Sequence, residues 1–403
     1  MDRGGEGGRV TPVLAPVAGV LEAGRSEGVA GALSAAVLAG GRLVHASCHG
    51  ELDSPVARPL RRDDLFDVAS LTKVMATATL AAQLAGAGEL ALDAPVARLL
   101  PGFEAGGKAA VTARHLLAHA SGLPEWRPYY ERVARDPLAG RAFLPPGERP
   151  PAASLGEAAR RGRALVREAV LAEPVEAAPG TRACYCDPGF IALGLLVEAI
   201  AGAPLAELAE RRVFGPLGLA STGYLDAAAA SRRAWADGRT FVPAGWSAPR
   251  RELVRGAVND DNAWAMGGVG GHAGLFSTAA EVAALGQAWL EALQGASGAL
   301  VPPSAAEEFA RRDASTPGSA RALGWDTPSG AAPAVGSRLG RGPRGALGHL
   351  GYTGCSLWLD LDAGVVCALL TNHVHPSGRS DKPRIRELRR RFHDAVADGL
   401  GIG

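Results

Sequence analysis

The stretch FDVASLTK, residues 66–73, places a serine and a lysine three positions apart, at Ser70 and Lys73. Residues i and i+3 lie on the same face of a helix. The hydroxyl of Ser70 and the amine of Lys73 are therefore predicted to face one pocket, as nucleophile and proton acceptor. A short extended run, residues 65–68, leads into the pair, and residues 74–84 are predicted to continue it as an apolar helix.

Lys73 is unusual because lysine is rare in this chain. Lysine and arginine total 42, yet only Lys73, Lys108 and Lys382 are lysines. Arginine keeps its proton, whereas a buried lysine can become neutral and act as a base. Lys73 is also the only charged residue between Asp67 and Glu89. An apolar helix is normally buried, and a buried charge is costly, so a functional lysine is favoured over an exposed one on an ordinary helix.

Length and composition restrict the classes of protein. A chain of 403 residues suits one large composite domain or two domains. The hydrophobic content of 47% and the net charge of +1 indicate neither disorder nor a highly charged partner. Scattered basic residues and 5% aromatics give no support for nucleic-acid binding.

The chain is predicted to be soluble and cytoplasmic. No stretch is long and apolar enough to span a membrane. Residues 1–9 are polar and glycine-rich, and lack the apolar core of a signal peptide. An odd number of irregularly spaced cysteines favours free thiols in a reducing compartment over a disulfide framework; they are Cys48, Cys184, Cys186, Cys355 and Cys367.

Strand signals lie at the two ends of the chain. Near the start, residues 32–38 and 42–48 flank the hairpin signal Gly40-Gly41. Near the end, strands are predicted at 345–350, 355–361 and 365–372. Helices are predicted at residues 11–24, 111–119, 188–202, 205–214, 278–293, where a capping box begins the helix, and 382–399.

This order predicts an α/β fold with an antiparallel sheet built from both chain ends, flanked by helices, and interrupted by a mostly helical insertion. We assign residues 1–67 and 268–403 to the two parts of the sheet domain, and residues 68–267 to the helical region. Residues 126–178 are rich in proline and arginine with weak periodicity, and are predicted to be a surface excursion or lid.

Two further segments are candidates for the site. Residues 179–189 form a loop bracketed by Pro-Gly pairs, with Tyr185 at its centre. A phenol has a pKa of about 10, but a nearby ammonium favours the phenolate; the alternative is a tyrosine that packs a turn. Residues 345–354 are glycine-rich, which lets a backbone amide approach a ligand and bind an oxyanion; the alternative is a set of hairpin turns.

In order and separation, these segments resemble the serine beta-lactamase-like family, most closely its class C and esterase branch. Residues 66–73 are similar to the family's Ser-x-x-Lys motif. Tyr185-Cys186-Asp187 stands at its Tyr-x-Asn motif, and residues 349–351, His-Leu-Gly, stand at its Lys-Thr-Gly motif. Residues 111–123 and 267–278 resemble its second helix with a Ser-Gly-Leu exit and its glycine-rich approach to a late helix. The likeness runs from about residue 30 to residue 400.

The resemblance implies a beta-lactamase/transpeptidase-like fold and a serine hydrolase that forms an acyl-enzyme. It implies that Ser70 is the nucleophile and that Lys73 and Tyr185 share its proton. The backbone amides of Ser70 and Tyr352 would polarise the substrate carbonyl. His349, Gly351 and Asp187 would complete the substrate-binding wall.

Two departures from the family pattern bear on the substrate. His349 and Leu350 replace a lysine and a threonine, which removes a fixed cation for a substrate carboxylate. Asp187 replaces an asparagine; a carboxylate cannot donate a hydrogen bond, but it could pair with Lys73. Short-chain esters or neutral acyl substrates are therefore expected to react faster than penicillins. The alternative is that His349, protonated near neutral pH, anchors an anionic substrate.

Several functions stay open. An esterase-like hydrolase of an acyl small molecule is favoured, with a D-alanyl-D-alanine carboxypeptidase or a beta-lactamase as alternatives. A non-catalytic penicillin-binding receptor belongs to a different class. The pair His115 and His119, or the pair His373 and His375, could indicate a metal hydrolase. Neither pair has the further ligands that zinc requires. No metal or cofactor is predicted, and the oligomeric state is left open.

Overall fold

The computed structural model describes residues 14–52, 57–151, 154–229 and 235–403. Its α-helices are α1 (Ala15–Ser26), α2 (Thr79–Gly86), α3 (Ala113–Leu117), α4 (Tyr129–Ala134), α5 (Gly156–Ala172), α6 (Asp187–Ala201), α7 (Leu205–Ala209), α8 (Asp261–Ala265), α9 (Ala279–Leu293), α10 (Pro303–Ala310) and α11 (Lys382–Leu400). Its strands are β1 (Ala32–Ala39), β2 (Arg42–Leu52), β3 (Arg58–Pro59), β4 (Phe66–Asp67), β5 (Gly223–Tyr224), β6 (Trp246–Ser247), β7 (Glu252–Leu253), β8 (Leu275–Ser277), β9 (Ala346–Leu350), β10 (Ser356–Asp360) and β11 (Val365–Thr371). Residues 11–13 of the predicted first helix lie outside the described residues.

The main sheet combines the two ends of the chain. Its six strands follow the order β3-β2-β1-β11-β10-β9, and all neighbours are antiparallel. Gly40 and Gly41 join β1 to β2 with φ values of 55° and 74°, which glycine adopts without steric cost. Strand β1 pairs with β11 from Leu33 opposite Thr371 to Ala39 opposite Val365. The predicted fold class is therefore confirmed, whereas the residue ranges proposed for its three parts stay a prediction.

Helices cover the sheet. Helices α1 and α11 pack together on one face, where Leu21, Leu33 and Phe392 share a buried cluster. Helix α9 packs against β1, β10 and β11. The side chain of Thr278 accepts a hydrogen bond from the amide of Glu281, as the predicted capping box requires. The Glu281 carboxylate instead accepts from the amide of Ser221 and the hydroxyl of Thr222, so it ties α9 to the loop before β5.

The helical region surrounds α6, whose residues 188–197 are all buried. The prediction of a surface excursion over residues 126–178 is wrong. This segment contains α4 and α5, and α5 contributes Leu165, Val166 and Val170 to the main core. Buried positions 158, 159, 162, 165, 166 and 170 follow a helical spacing. Because half of them are alanine or glycine, the periodic apolar signal in the sequence was weak.

The helix after Ser70 is not a regular α-helix. Residues Lys73–Ala78 form a π-helical segment, all buried, and α2 follows from Thr79. The hydroxyl of Thr79 donates to the carbonyl of Val74 at 2.6 Å and accepts from the indole of Trp289. The predicted helices at 111–119 and 205–214 also differ, because the first is confined to α3 and the second changes from α7 to a π-helical segment, Glu210–Phe214. π-Helical segments are frequent near functional sites.

Two further sequence expectations can be compared with the structure. All five cysteines are free thiols. Within the described residues, no single helix is long and apolar enough to cross a membrane. Helix α6 and the helical segment Leu205–Phe214 are together long and apolar enough, but the two are bent by 74° relative to each other.

Candidate active site

Ser70 follows a tight turn at the end of β4. Ala69 has a φ of 48°, a left-handed conformation that is uncommon for a residue with a side chain. Its amide donates to Oδ1 of Asp67 at 2.8 Å, and the amide of Asn259 donates to Oδ2 at 2.6 Å. Burial raises the pKa of Asp67 to about 6, although both hydrogen bonds lower it. Such backbone strain persists only where neighbouring contacts fix it, and Asp67 provides those contacts.

The end of β9 lies directly against this turn. A Cβ atom on Gly351 would be 2.7 Å from the carbonyl oxygen of Val68, so a larger residue would displace the backbone. The hydroxyl of Thr353 donates to the carbonyl of Asp67 at 2.8 Å. Within the described residues, the amides of Ser70 and Tyr352 donate to no other group. Both amides are therefore available to a ligand; their role in binding the oxygen of a reacting carbonyl stays a prediction.

Lys73 lies at the centre of the site and is fully buried. Its Nζ lies 3.0 Å from Oγ of Ser70, 2.7 Å from the hydroxyl of Tyr185 and 2.7 Å from Oδ1 of Asp187. The carbonyl oxygen of His272, 3.2 Å away, is a further neighbour. The structure thus brings together the three residues predicted to be catalytic and places the predicted carboxylate partner beside the lysine.

These contacts determine which groups carry protons in the free enzyme. Burial lowers the pKa of Lys73, but the charge of Asp187 and the contact with Tyr185 outweigh it and raise the pKa above its ordinary value. Burial, together with the charge of Asp187, raises the pKa of Tyr185 above its ordinary value, although Lys73 lowers it. The resting site therefore contains an ammonium and a neutral phenol. This is opposite to the neutral Lys73 that the sequence suggested, because Asp187 compensates the buried charge.

Tyr185 and Asp187 stand on either side of the residue that caps α6. The Sγ atom of Cys186 accepts from the amide of Gly189, in the first turn of the helix. The hydroxyl of Tyr185 donates to Oγ of Ser70 at 2.7 Å. The ring of His119 lies against the Tyr185 ring, with 4.7 Å between centroids, and its Nδ1 accepts from the amide of Cys186 at 2.9 Å. His119 therefore holds the tyrosine loop. In the sequence, the one signal for this role is its place just after α3, within residues 111–123.

His349 is buried on β9 and faces the site. Its Nδ1 lies 3.0 Å from the carbonyl of Leu350, and its Nε2 has no hydrogen-bond partner among the described residues. Burial lowers the pKa of His349 to about 4. The imidazole is therefore neutral near pH 7 in the free protein, which argues against the alternative in which a protonated His349 anchors an anionic substrate. A neutral ring that donates from Nδ1 leaves Nε2 as a hydrogen-bond acceptor.

The site opens into a cavity of about 810 Å³ that Ser70, Tyr185, Asp187, His349 and Gly351 all line. Three aromatic residues are exposed at its wall: Trp126 at 44%, Trp246 at 49% and Tyr352 at 49% of their surface. Exposed aromatic groups at a cavity are suited to apolar parts of a ligand.

Four cations of the C-terminal segment, which the sequence analysis did not place at the site, line the same cavity: Arg379, Lys382, Arg386 and Arg389. Arg389 is only 6% exposed and donates to the carbonyls of Gly351, Gly354 and Cys355. None of the four forms an ion pair within the part of the chain that the structure describes. Residues 349–351 carry no permanent cation, but these side chains from the C-terminal segment supply cations to the same cavity, which the sequence analysis did not anticipate. The densely basic residues 379–391 are evident in the sequence, but only the fold brings them to the cavity that Ser70 lines.

Three of the four histidines considered for a metal have ring nitrogens engaged by the backbone. Nδ1 of His115 accepts from the amide of Thr112, and Nδ1 of His119 from the amide of Cys186. Nδ1 of His373 lies 2.6 Å from the carbonyl of Val29, and its Nε2 accepts from the amide of Asp381. In the described ranges, no group of three or more possible metal ligands is found.

The antiparallel sheet, the helical region and the Ser-x-x-Lys site define a serine hydrolase with the beta-lactamase/transpeptidase fold. The sequence profile of the Beta-lactamase family matches residues 17–390, and the chain belongs to this family. A protein of Salmonella schwarzengrund (strain CVM19633), whose name provisionally gives it as a D-alanyl-D-alanine carboxypeptidase, is 27% identical over 336 residues, which cover 79% of this chain and 72% of that protein.

Two solved structures have the same fold. The first is EstCE1, a hydrolase with promiscuous acyltransferase activity, which is 22% identical with a TM-score of 0.68 over 95% of this chain and 98% of that one. The second is a penicillin-binding protein homologue from Caulobacter crescentus, 19% identical, with a TM-score of 0.67 over 96% and 97% of the two chains.

Proposed function

We propose that this chain hydrolyses an ester or amide through an acyl-enzyme on Ser70, and that it acts as an esterase. The observation that carries the proposal is the contact of the Ser70 hydroxyl with both the Lys73 ammonium and the Tyr185 phenol, at 3.0 and 2.7 Å. A nucleophile within hydrogen-bond reach of a proton-transferring group is the arrangement that acyl transfer requires.

The reactive form is the one in which the Lys73–Tyr185–Asp187 cluster has lost one proton. We assign the resulting negative charge to the Tyr185 oxygen, because Nζ of Lys73 lies 2.7 Å away and favours the phenolate. Because the groups are coupled, the pKa observed in kinetics belongs to the cluster and not to one residue.

In this mechanism, Tyr185 accepts and returns one proton in acylation and again in deacylation. The Ser70 proton passes to the Tyr185 oxygen while Oγ forms a bond to the substrate carbonyl carbon, and the amides of Ser70 and Tyr352 hold the oxyanion. Tyr185 gives the proton to the leaving oxygen or nitrogen as its bond to carbon breaks. Water then attacks the acyl ester and gives a proton to Tyr185. That proton returns to Oγ of Ser70 as the acid is released.

The aromatic wall and the neutral His349 support an uncharged, partly apolar acyl substrate. Trp126, Trp246 and Tyr352 offer contact area to such a group. His349 offers an acceptor and no charge.

A D-alanyl-D-alanine carboxypeptidase is the second candidate, and the unpaired cations favour it. A peptide with a free carboxylate would find Arg379, Lys382 and Arg386 on the cavity wall. The name of the Salmonella relative points in the same direction.

Two substrates and one variant separate these candidates. A p-nitrophenyl ester and an acyl-D-alanyl-D-alanine peptide are compared on the native chain and on Arg386→Gln. The esterase proposal expects ester turnover that Arg386→Gln leaves within about two-fold, since exposed charges have small effects on an uncharged ligand. Preferred turnover of the peptide, with a KM that rises in Arg386→Gln, would instead establish the carboxypeptidase.

The remaining alternatives have distinct outcomes in intact-mass measurements. A non-catalytic receptor would keep the acyl group on the protein without turnover. A beta-lactamase would hydrolyse nitrocefin faster than the ester. Steady turnover of the ester with a transient acyl-enzyme is the result expected here.

A further inference from the structure

The phenol of Tyr185 is enclosed by charged and titratable groups from several elements. They are Lys73 of the π-helical segment, Asp187 of α6, His119 after α3, His349 of β9, and Arg321 with its partner Asp326 in the loop before β9. Lys73 and Asp187 act at the hydroxyl end. Arg321 acts on the ring, because its Cζ lies 5.4 Å from the ring centroid.

Arg321 is fixed in this position by the strand that carries His349. The backbone of Asp326 pairs with Gly348 through hydrogen bonds of 2.7 and 2.9 Å, one in each direction. The carboxylate of Asp326 forms an ion pair with Nη1 of Arg321. The carbonyl of Arg321 also accepts from the amide of Asp313 at 2.7 Å. The guanidinium is thus connected to β9 although it is 28 residues before His349 in the chain.

The position of His349 offers no charge of its own. Its imidazole is buried and neutral, and it lies with its ring centroid 6.1 Å from that of Tyr185. In this chain a permanent cation reaches the same tyrosine from the preceding loop, since arginine keeps its charge at any working pH.

We propose that Arg321 is a positioning residue that favours the phenolate of Tyr185 through its place over the tyrosine ring. The inference rests on the proposed function, in which Tyr185 receives the Ser70 proton. A cation over an aromatic face is attracted to the ring, and the attraction grows when the phenol ionises. Asp326 holds the guanidinium and partly offsets its charge.

The pH dependence of acylation tests this assignment. For hydrolysis of an uncharged p-nitrophenyl ester, Arg321→Gln should shift the rising limb of kcat/KM to higher pH by about one unit, and lower kcat/KM near pH 7 by about ten-fold. Arg321→Lys should recover part of the shift because it keeps a charge. Asp326→Asn should shift the limb to lower pH. Arg312→Gln, which removes an exposed arginine of the same loop, is the matched control and should leave the limb unchanged.

The possible failures are distinct. An unchanged limb in Arg321→Gln, with native thermal unfolding, would overturn the inference and leave the proposed function intact. A rise in KM confined to anionic substrates would overturn it too, because Arg321 would then be an anchor for substrate. If Arg321→Gln does not fold, Asp326→Asn provides the test: a limb that moves to lower pH supports the inference, and an unchanged limb overturns it. Failure of a fluorophosphonate to label the native chain would contradict the proposed function itself.

Discussion

Oδ1 of Asp187 accepts a hydrogen bond of 2.7 Å from Nζ of Lys73, and the lysine that makes it is completely buried. A buried ammonium without a partner would lose its proton. With Asp187 beside it, Lys73 keeps the proton, and the same negative charge also raises the pKa of Tyr185. The residue found where an asparagine is usual therefore sets the proton count of the whole cluster.

Replacing this carboxylate should change the pH dependence of the enzyme. In Asp187→Asn, Lys73 and Tyr185 both lose a group that raises their pKa, so the rising limb of kcat/KM should move to lower pH by about one unit. The measurement is the pH profile of ester hydrolysis. Asp93→Asn removes a carboxylate from an exposed ion pair with Arg114 and is the control. A limb that moves to higher pH, or not at all, would contradict the assignment.

Ser70→Ala should abolish covalent labelling by a fluorophosphonate, because Ser70 is the hydroxyl in contact with both Lys73 and Tyr185. The readout is the intact mass of the protein. Ser380→Ala changes another serine that lines the cavity and should label like the native chain. Persistent labelling of Ser70→Ala at a different serine would show that the nucleophile has been misassigned.

Lys73→Arg should be about as inactive as Lys73→Ala, with a loss of about 10²–10⁴-fold in kcat/KM. Nζ of Lys73 has four polar neighbours between 2.7 and 3.2 Å and no exposed surface, so a planar guanidinium cannot reproduce these contacts. Thermal unfolding of both variants checks that the fold is retained. Activity of Lys73→Arg within a few-fold of the native value would mean that a positive charge alone is sufficient.

His349 should not titrate in the working range. Its pKa of about 4 means that nitrocefin turnover should not rise between about pH 8 and pH 6, and that the ester should be preferred throughout. The double variant His349→Lys with Leu350→Thr should raise nitrocefin acylation relative to ester hydrolysis, because it supplies a cation and a hydroxyl. Efficient nitrocefin hydrolysis by the native chain that increases as the pH falls would refute the esterase preference.

Gly351→Ala should damage activity through the backbone. The added Cβ would lie 2.7 Å from the carbonyl of Val68 and would displace the turn that carries Ser70. A misplacement of this kind costs about 10²-fold in rate. Gly147→Ala is the matched control, because no atom lies within 4 Å of its added Cβ. Equal kcat/KM for both variants would show that the approach of β9 does not position the nucleophile.

Local sequence patterns predicted many of the secondary-structure elements, because such elements depend on residues that are neighbours in sequence. The hairpin at Gly40-Gly41, the strands near both ends and the cap of α9 follow from short-range preferences. The Ser70–Lys73 spacing and the apolar residues after it were sufficient to indicate a buried catalytic pair. The family resemblance then implied Tyr185, and the structure brings it within 2.7 Å of Ser70.

Other features depend on contacts between distant segments, and only the tertiary structure decided them. The charge of Lys73 is set by Asp187, 114 residues away, and the neutrality of His349 by its burial. The cations Arg389 and Arg321 reach the site because α11 and the loop before β9 line the same cavity as Ser70. The sequence determined which chemical groups are present. Protonation and the electric field depend on burial and on separations of a few ångströms, which arise only when the chain has folded.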